Sequence, residues 1–380
     1  MTQPWRKSRV PRTHLRRRTV LSLVFLTAGL LGGLAPLPGE SRQLVVVAGT
    51  ELQQALLALK PSFEQRYPGV RLALYFRGSQ ALANDYLEDR YRDVKPTILI
   101  PANGEILTKL AEDWRAREQS DPFYGPPQPI ARTFLVGIAW PQRGRVLFPQ
   151  GRFDWGRVAQ ALRAGQWSAL GGPAQWGSFD FRMTDPLRSN SGQLTLSLWA
   201  GYVLGAPVTS TNLDAAPVQD LFRLIKRSVY QPPDSTDTLL EVFIAQGENE
   251  GDVAVVYESI ALSRWSQAQR SRSQGYQVYY FRPTIETVST AAIVRRYVSP
   301  GLARTAQQFL DYLRGVEAQQ VLVQKGFRPV IDLDVTTVAG SPWQQGIPGV
   351  EVKPQVQALP SPATAVLQEI QKQWQRTPTG

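Results

Sequence analysis

The sequence predicts an α/β fold whose strands are joined in parallel fashion through helices, and three observations point there. Short β-branched runs alternate with segments of helical apolar spacing, the pattern of successive strand–helix–strand units. Glycines and hydroxyl residues follow several of the strand runs, at the places where such a sheet hands over to a helix. The chain has 380 residues, 43% of them hydrophobic and 19% charged, which suits a globular protein with room for two domains.

The first 42 residues stand apart. Residues 1–40 hold seven cations, among them Arg16, Arg17 and Arg18, against one anion, Glu40. The apolar run VLSLVFLTAGLLGGLA follows the arginines at 20–35. Charge first and apolar second is the order of a secretory signal, and the run is short of the ~20 apolar residues of a comfortable membrane span. Gly33-Leu34-Ala35 runs straight into Pro36 and is no clean small-x-small cleavage site, so a signal peptide and an uncleaved N-terminal anchor both stay open. The protein is expected in the periplasm or outside the cell, touching membrane only through this segment. More than half of the net charge of +11 sits here, and no basic run with interleaved aromatics lies beyond it, so nucleic acid is not an expected partner. With no cysteine in the chain there is no disulfide, lipid-attachment cysteine or thiolate ligand.

Past the leader the elements follow one another. QLVVVAG at 43–49 reads as a buried strand ended by glycine, ELQQALLALKPSFEQRYP as a helix and VRLALYF at 70–76 as a second strand. SQALANDYLEDRY is helical, PTILIPA a strand and NGEILTKLAEDWRARE a helix again. TFLVGIAWP at 133–141 opens a second such unit, which includes a helix after residue 191 and the strand GDVAVVYES at 251–259. GYQVYYFRP at 275–283 is another strand, and 301–326 supplies one or two helices. Pro342, Pro348, Pro354 and Pro360 should keep 331–360 mostly irregular. Over 361–376 the spacing of Val366, Leu367, Ile370 and Trp374 predicts an amphipathic helix, with Ser361 as cap and Pro362 in its first turn.

Strand ends and helix starts also carry the candidate chemistry, because free backbone N–H groups and a partial positive charge gather there. Four places qualify: Gly49-Thr50-Glu51, Gly78-Ser79-Gln80, Ser189-Asn190-Ser191-Gly192 and Tyr257-Glu258-Ser259. A lone serine at a helix start is ordinarily just an N-cap. The stretch MTDPLRSNSG offers three capping groups in a row, Ser189, Asn190 and Ser191. One is expected to cap, leaving the others to face a ligand.

Catalysis finds little support. The single histidine, His14, lies in the leader, which excludes a Ser-His-Asp triad and any His or Cys metal site. No GxxxxGK[ST] loop is present. The acidic groups Asp85/Glu88/Asp89 and Glu248/Glu250/Asp252 sit on polar faces, and Trp155, Trp167 and Trp176 read as packing. A binding protein without cofactor or metal is expected.

The run LVVVAGTELQQALLALKPSFEQRYPGVRLALYFRGSQALA resembles the opening of the type II periplasmic solute-binding proteins of the molybdate- and sulfate-binding kind. FRMTDPLRSNSGQLTL and GDVAVVYES are similar to that family's third and fourth contact loops. Similarity is greatest to a bacterial subgroup whose binding module is often fused to a von Willebrand factor type A domain. That subgroup shares a TDP.RSNSG motif, a VVYE strand, a GFRP ending like 326–329, and a proline-rich connector with a following helix. Its adhesive domain is not expected here, since the chain stops at Gly380.

The resemblance covers about 43–376 and implies a two-lobed, periplasmic-binding-protein-like type II fold with mixed, mainly parallel sheets. Lobe one would comprise 43–135 and 285–330, and lobe two 136–284, with crossings near 133–139 and 281–288. Ligand contacts would come from Thr50, Glu51, Gly78, Ser79, Arg188, Ser189, Asn190, Ser191, Tyr257 and Glu258. The ligand implied is a small polar solute, an oxyanion by family analogy, presented to an ABC permease. Glu51 and Glu258 depart from that pattern, because carboxylates repel an oxyanion unless they face away or meet a cationic ligand. Glu51 also reads as a first-turn acid favoured by the helix dipole. Arg188 is either a bidentate anion clamp or a surface residue paired to Asp185. An envelope interaction module on the same fold, without transport, is the alternative function.

Overall fold

The structure, a computed structural model, describes residues 42–249, 251–272 and 274–378. The signal or anchor expected over 1–42 lies almost wholly outside the described residues. β1 (Arg42–Gly49) buries Leu44, Val46, Val47 and Ala48 without alternation, as a strand covered on both faces must. A 3-10 turn, Thr50–Leu52, leads into α1 (Gln53–Arg66), which turns Ala55, Leu56, Leu59 and Phe63 inward. β2 (Val70–Arg77), α2 (Ser79–Leu87), β3 (Ile98–Ile100) and α3 (Gly104–Glu118) complete this unit. Asn103 caps α3 by accepting the Glu105 N–H at 3.1 Å.

β4 (Gln128–Ala139) then carries the chain to the second unit: α4 (Pro141–Leu147), α5 (Trp155–Ala164), β5 (Phe181–Arg182), α6 (Asn190–Leu204), α7 (Ala216–Ser228), α8 (Thr236–Gln246), β6 (Val253–Tyr257), α9 (Glu258–Arg272) and β7 (Gln277–Tyr280). β8 (Thr284–Ile293) returns to the first unit, followed by α10 (Pro300–Arg314) and α11 (Val316–Gln324), which are separated at Gly315. β9 (Ala358–Leu359) and α12 (Thr364–Arg376) end the described chain.

The strands follow the order β2-β1-β3-β8-β4-β6-β5, with β7 also on β4 and β9 also on β8. β1/β3, β5/β6 and β8/β9 are parallel. The antiparallel pairs all involve β4 or β8, the two strands that cross between the units. β4 pairs β8 over its first half, Gln128 to Phe134, and β6 and β7 over its second half, Leu135 to Ala139. One strand therefore belongs to both lobes, and the hydrogen-bonded path is continuous through it. The apolar side chains nevertheless separate. One core draws on β1 to β3, α1 to α3, α10 and α11, and the other on the end of β4 through the start of β8.

The segment 331–360 is largely irregular yet packed against the body. Val335 and Val338 bury against Val323, Val278 N–H donates to Pro348 O at 2.9 Å, and Thr284 N–H donates to Gln357 O at 3.0 Å. The final helix starts at Thr364, three residues later than expected, and Ala363 stands at its N-cap with no side-chain bond. Ser361 thus does not cap it. Val366, Leu367, Ile370 and Trp374 are buried in the second core. Lys226 Nζ lies 4.3 Å from the Trp374 ring centroid and donates to Trp374 O at 3.0 Å. α12 also packs on α3, so it touches both lobes. Among the described residues no helix is long and apolar enough to cross a membrane.

Candidate functional site

Some of the predicted residues lie at the seam where the two cores meet. A Cβ placed on Gly78 would lie 2.8 Å from Arg188 O and 3.0 Å from Asp234 O, so the loop after β2 can press against that backbone only as glycine. Its φ of −58° is ordinary; the requirement is space. Beside it, Gln80 Nε2 donates to Gln193 Oε1 at 3.0 Å across the seam. The Thr50–Leu52 turn packs on α8.

The motif MTDPLRSNSG folds as a turn stapled by Asp185. Its carbonyl accepts the N–H groups of Arg188 at 3.1 Å and Ser189 at 2.8 Å, and its Oδ1 accepts the Leu187 N–H at 2.9 Å. Gly192 lets α6 lie on that turn, since a Cβ there would sit 2.5 Å from Thr184 O and 2.9 Å from Pro186 N. Ser189 occupies the N-cap position, but its side chain does not cap the helix. Instead the hydroxyls bond one another. Ser191 Oγ lies 2.7 Å from Thr184 Oγ1, 2.7 Å from Thr236 Oγ1 and 3.2 Å from Ser189 Oγ. The expectation of one cap with free neighbours is corrected: Ser191 ties the turn to the start of α8.

Asn190 differs. It is 2% exposed, its Nδ2 donates to Tyr257 OH at 2.9 Å, and its Oδ1 is buried without a hydrogen-bond partner. Glu51 lies close enough to raise the Tyr257 phenol, second only to burial as a cause. The Glu51 carboxyl folds back over Gly49, into space that a Cβ would fill, and its Oε1 is buried and unpartnered. Burial first, and the charge of Asp237 second among the raising causes, push this carboxyl up to about 7, against a hydrogen bond from its own backbone N–H. Asp237 itself is held by Arg264, at 2.8 Å from Nε and 2.6 Å from Nη2.

The remaining candidates are placed differently. Thr50 opens the turn beside Glu51 and stays partly exposed. Ser79 is buried, and its Oγ accepts the Ala102 N–H at 3.0 Å. Arg188 is largely exposed and pairs with Asp234 at 2.8 Å, not with Asp185. Glu258 is corrected as a ligand contact. Its carboxylate is fully buried and takes Arg328 Nε at 2.8 Å, Arg328 Nη2 at 2.7 Å and the Tyr280 hydroxyl at 2.5 Å. Arg328 further donates to Val352 O and Glu351 O. With this many partners the pair is an internal fastening of α9, β7 and the C-terminal segment. The sequence reading missed Thr184, Thr236 and Asp237; Ser235, which accepts the Thr238 N–H at 3.3 Å ahead of buried Leu239, Leu240 and Phe243, was the available signal for α8.

The bacterial extracellular solute-binding protein family matches residues 44–328. Among solved structures, a periplasmic thiamin-binding protein superposes with a TM-score of 0.64 at 14% identity, covering 91% of this chain and 99% of that one. The substrate-binding protein of an ABC transporter from Agrobacterium tumefaciens gives 0.60 at 12% identity, covering 90% and 95%. The sulfate-binding protein SubI from Mycobacterium tuberculosis H37Rv gives 0.51 at 20% identity, covering 81% and 93%. At such identities the likeness is one of fold. A comparison with curated proteins returned no match. The family match spans most of both cores and every residue of the seam described above, and the chain belongs to the bacterial extracellular solute-binding proteins, with their two-lobed type II fold.

Proposed function

We propose that this protein is an extracytoplasmic receptor that closes two lobes over a small polar solute and presents it to an ABC importer. Lobe one would be 43–135 with 285–330, and lobe two 136–284. The observation that carries the reading is the Asn190–Tyr257 pair, with Glu51 close enough to act on the Tyr257 phenol, where Asn190 Oδ1 and Glu51 Oε1 are each buried without a partner. Buried polar atoms are rarely left unsatisfied, and a cleft that receives a ligand is one setting in which they are. The structural neighbours include binders of sulfate and of thiamin, so the fold leaves the charge of the solute open. The envelope-module alternative needs a surface for a partner, yet the apolar face of α12 is buried in its own chain. A melting-temperature screen of oxyanions, amino acids, sugars and amines against the purified chain tests the proposal. A stabilising solute whose effect is lost in Asn190→Ala supports it; stabilisation untouched by that variant contradicts it.

A further inference from the structure

Resting on the cleft reading above, we infer that α12 is a latch between the lobes, fastened to lobe two, releasable from lobe one, and biasing the cleft toward its closed arrangement. The helix has two working faces. Val366, Ile370 and Trp374 form the apolar one, buried in the second core. That face is tied down further: Lys226 Nζ donates to Trp374 O at 3.0 Å, and Gln219 Nε2 donates to Gln373 Oε1 at 2.7 Å. Thr364, Gln368 and Gln371 recur at i, i+4 and i+7, so they share a second face, about a third of a turn away. Leu367 stands between the two. The polar face lines a crevice of about 30 Å³ with Asn84 of α2, Glu105, Lys109 and Asp113 of α3, and Gln193 of α6. α12 and α3 pack directly.

The two faces differ in what it takes to part them. Peeling the apolar stripe from α6 and α7 would expose buried side chains to water. Polar groups across the crevice exchange for water with little net change. The lobe-one contact is therefore the one that releases. It also lies where the lobes already touch, because Gln193, which shares the crevice with α12, accepts from Gln80 Nε2 at 3.0 Å. Gln193 belongs to α6, whose first residues, Asn190 and Ser191, lie at the seam. The connector holds the helix to this place, since Pro348 O and Gln357 O accept the N–H groups of Val278 in β7 and Thr284 in β8. Opening the cleft at this edge must part α12 from α3, so the contact between them favours the closed lobes.

The test reads lobe separation without any solute. The chain has no cysteine, so Gln65→Cys in α1 and Arg163→Cys in α5, both exposed and away from the crevice, take spin labels at chosen places. Distances by pulsed electron resonance are compared among this labelled parent, Gln368→Glu/Gln371→Glu, and the milder Gln368→Ala/Gln371→Ala. The new glutamates meet Glu105 and Asp113 across the crevice, where Lys109 is already paired with Asp113. Glutamate and alanine both keep helix propensity, and neither variant touches the apolar stripe. We expect one narrow distribution in the parent and a distance longer by more than about 2 Å in the glutamate variant, the alanine variant falling between. Urea midpoints close to the parent's accompany that result, since the fastening to lobe two persists. Distributions unchanged in both variants overturn the latch. A parent already spread over two separations overturns the bias toward closure. Should the glutamate variant not fold, the alanine variant decides by the same criterion. Because no solute enters, failure here leaves the cleft reading standing; that reading is decided by the melting screen.

Discussion

At the scale of single residues, the seam is set by what each side chain can still bond. Glu51 is the most informative. Its folded pKa, raised from 4.5 to about 7, lies above that of the unfolded chain. The folded state therefore holds the proton more tightly, and its advantage is complete below about pH 4.5, falls between 4.5 and 7, and is gone above. Asp252, buried beside Arg143 at 2.9 Å and likewise pushed up to about 7, adds to the same slope. Glu51→Gln is expected to leave stability unchanged at pH 4.5 and to raise it by ~1–3 kcal/mol at pH 8. Urea midpoints at the two pH values check this; an equal effect at both would contradict it.

Glu258 teaches the opposite lesson. Read in sequence it is a ligand contact within the fourth contact loop, and only the fold reveals Arg328, 70 residues away, lying against it. Arg328→Ala would strand a buried carboxylate and should cost ~3–5 kcal/mol, read from chemical denaturation. Arg328→Lys should recover only part of that, because the bidentate geometry is lost.

At the scale of elements, most of the strand–helix succession was legible because strands buried on both faces write themselves as unbroken apolar runs. β1 and β6 are of that type. The elements missed were those whose partner was not yet in view. α8 has its apolar positions in one short cluster, and its role at the seam comes from packing on the Thr50 turn. The three polar groups of RSNSG were legible as special, but not their division of labour, because Thr184 and Thr236 reach Ser191 from other segments. Ser191→Ala should accordingly act mainly on stability, by ~1–2 kcal/mol for the loss of buried hydrogen bonds, in thermal melts.

The C-terminal helix shows the same division between pattern and context. Its apolar stripe was readable from spacing, whereas its start was not, since Thr364 begins the helix without a side-chain cap. Trp374 is 3% exposed and packs near Phe222 and Lys226. Trp374→Ala should lower stability by ~3–5 kcal/mol in denaturant titration. Truncation after Pro360 should lower the melting temperature as well, since it uncovers apolar surface on α6 and α7. An unchanged melting temperature would mean that the helix only rests on the body.

At the scale of the molecule, two cores share the crossing strands β4 and β8, and the residues that meet between them come from far apart in sequence: Gly78 presses on the backbone of Arg188 and Asp234, Glu51 acts on Tyr257, and Tyr257 is bonded by Asn190. Hinged lobes of this kind bury a solute by approaching each other, so protection should appear on both at once. The chain has no cysteine and needs no reductant, which keeps solution measurements simple. The most direct test is backbone hydrogen exchange of the chain with and without a saturating probe that calorimetry has shown to bind. A shared interlobe site predicts coordinated slowing at 49–52, 78–80, 188–192 and 257–259. Slowing confined to one lobe, or absent from these four segments, would contradict it.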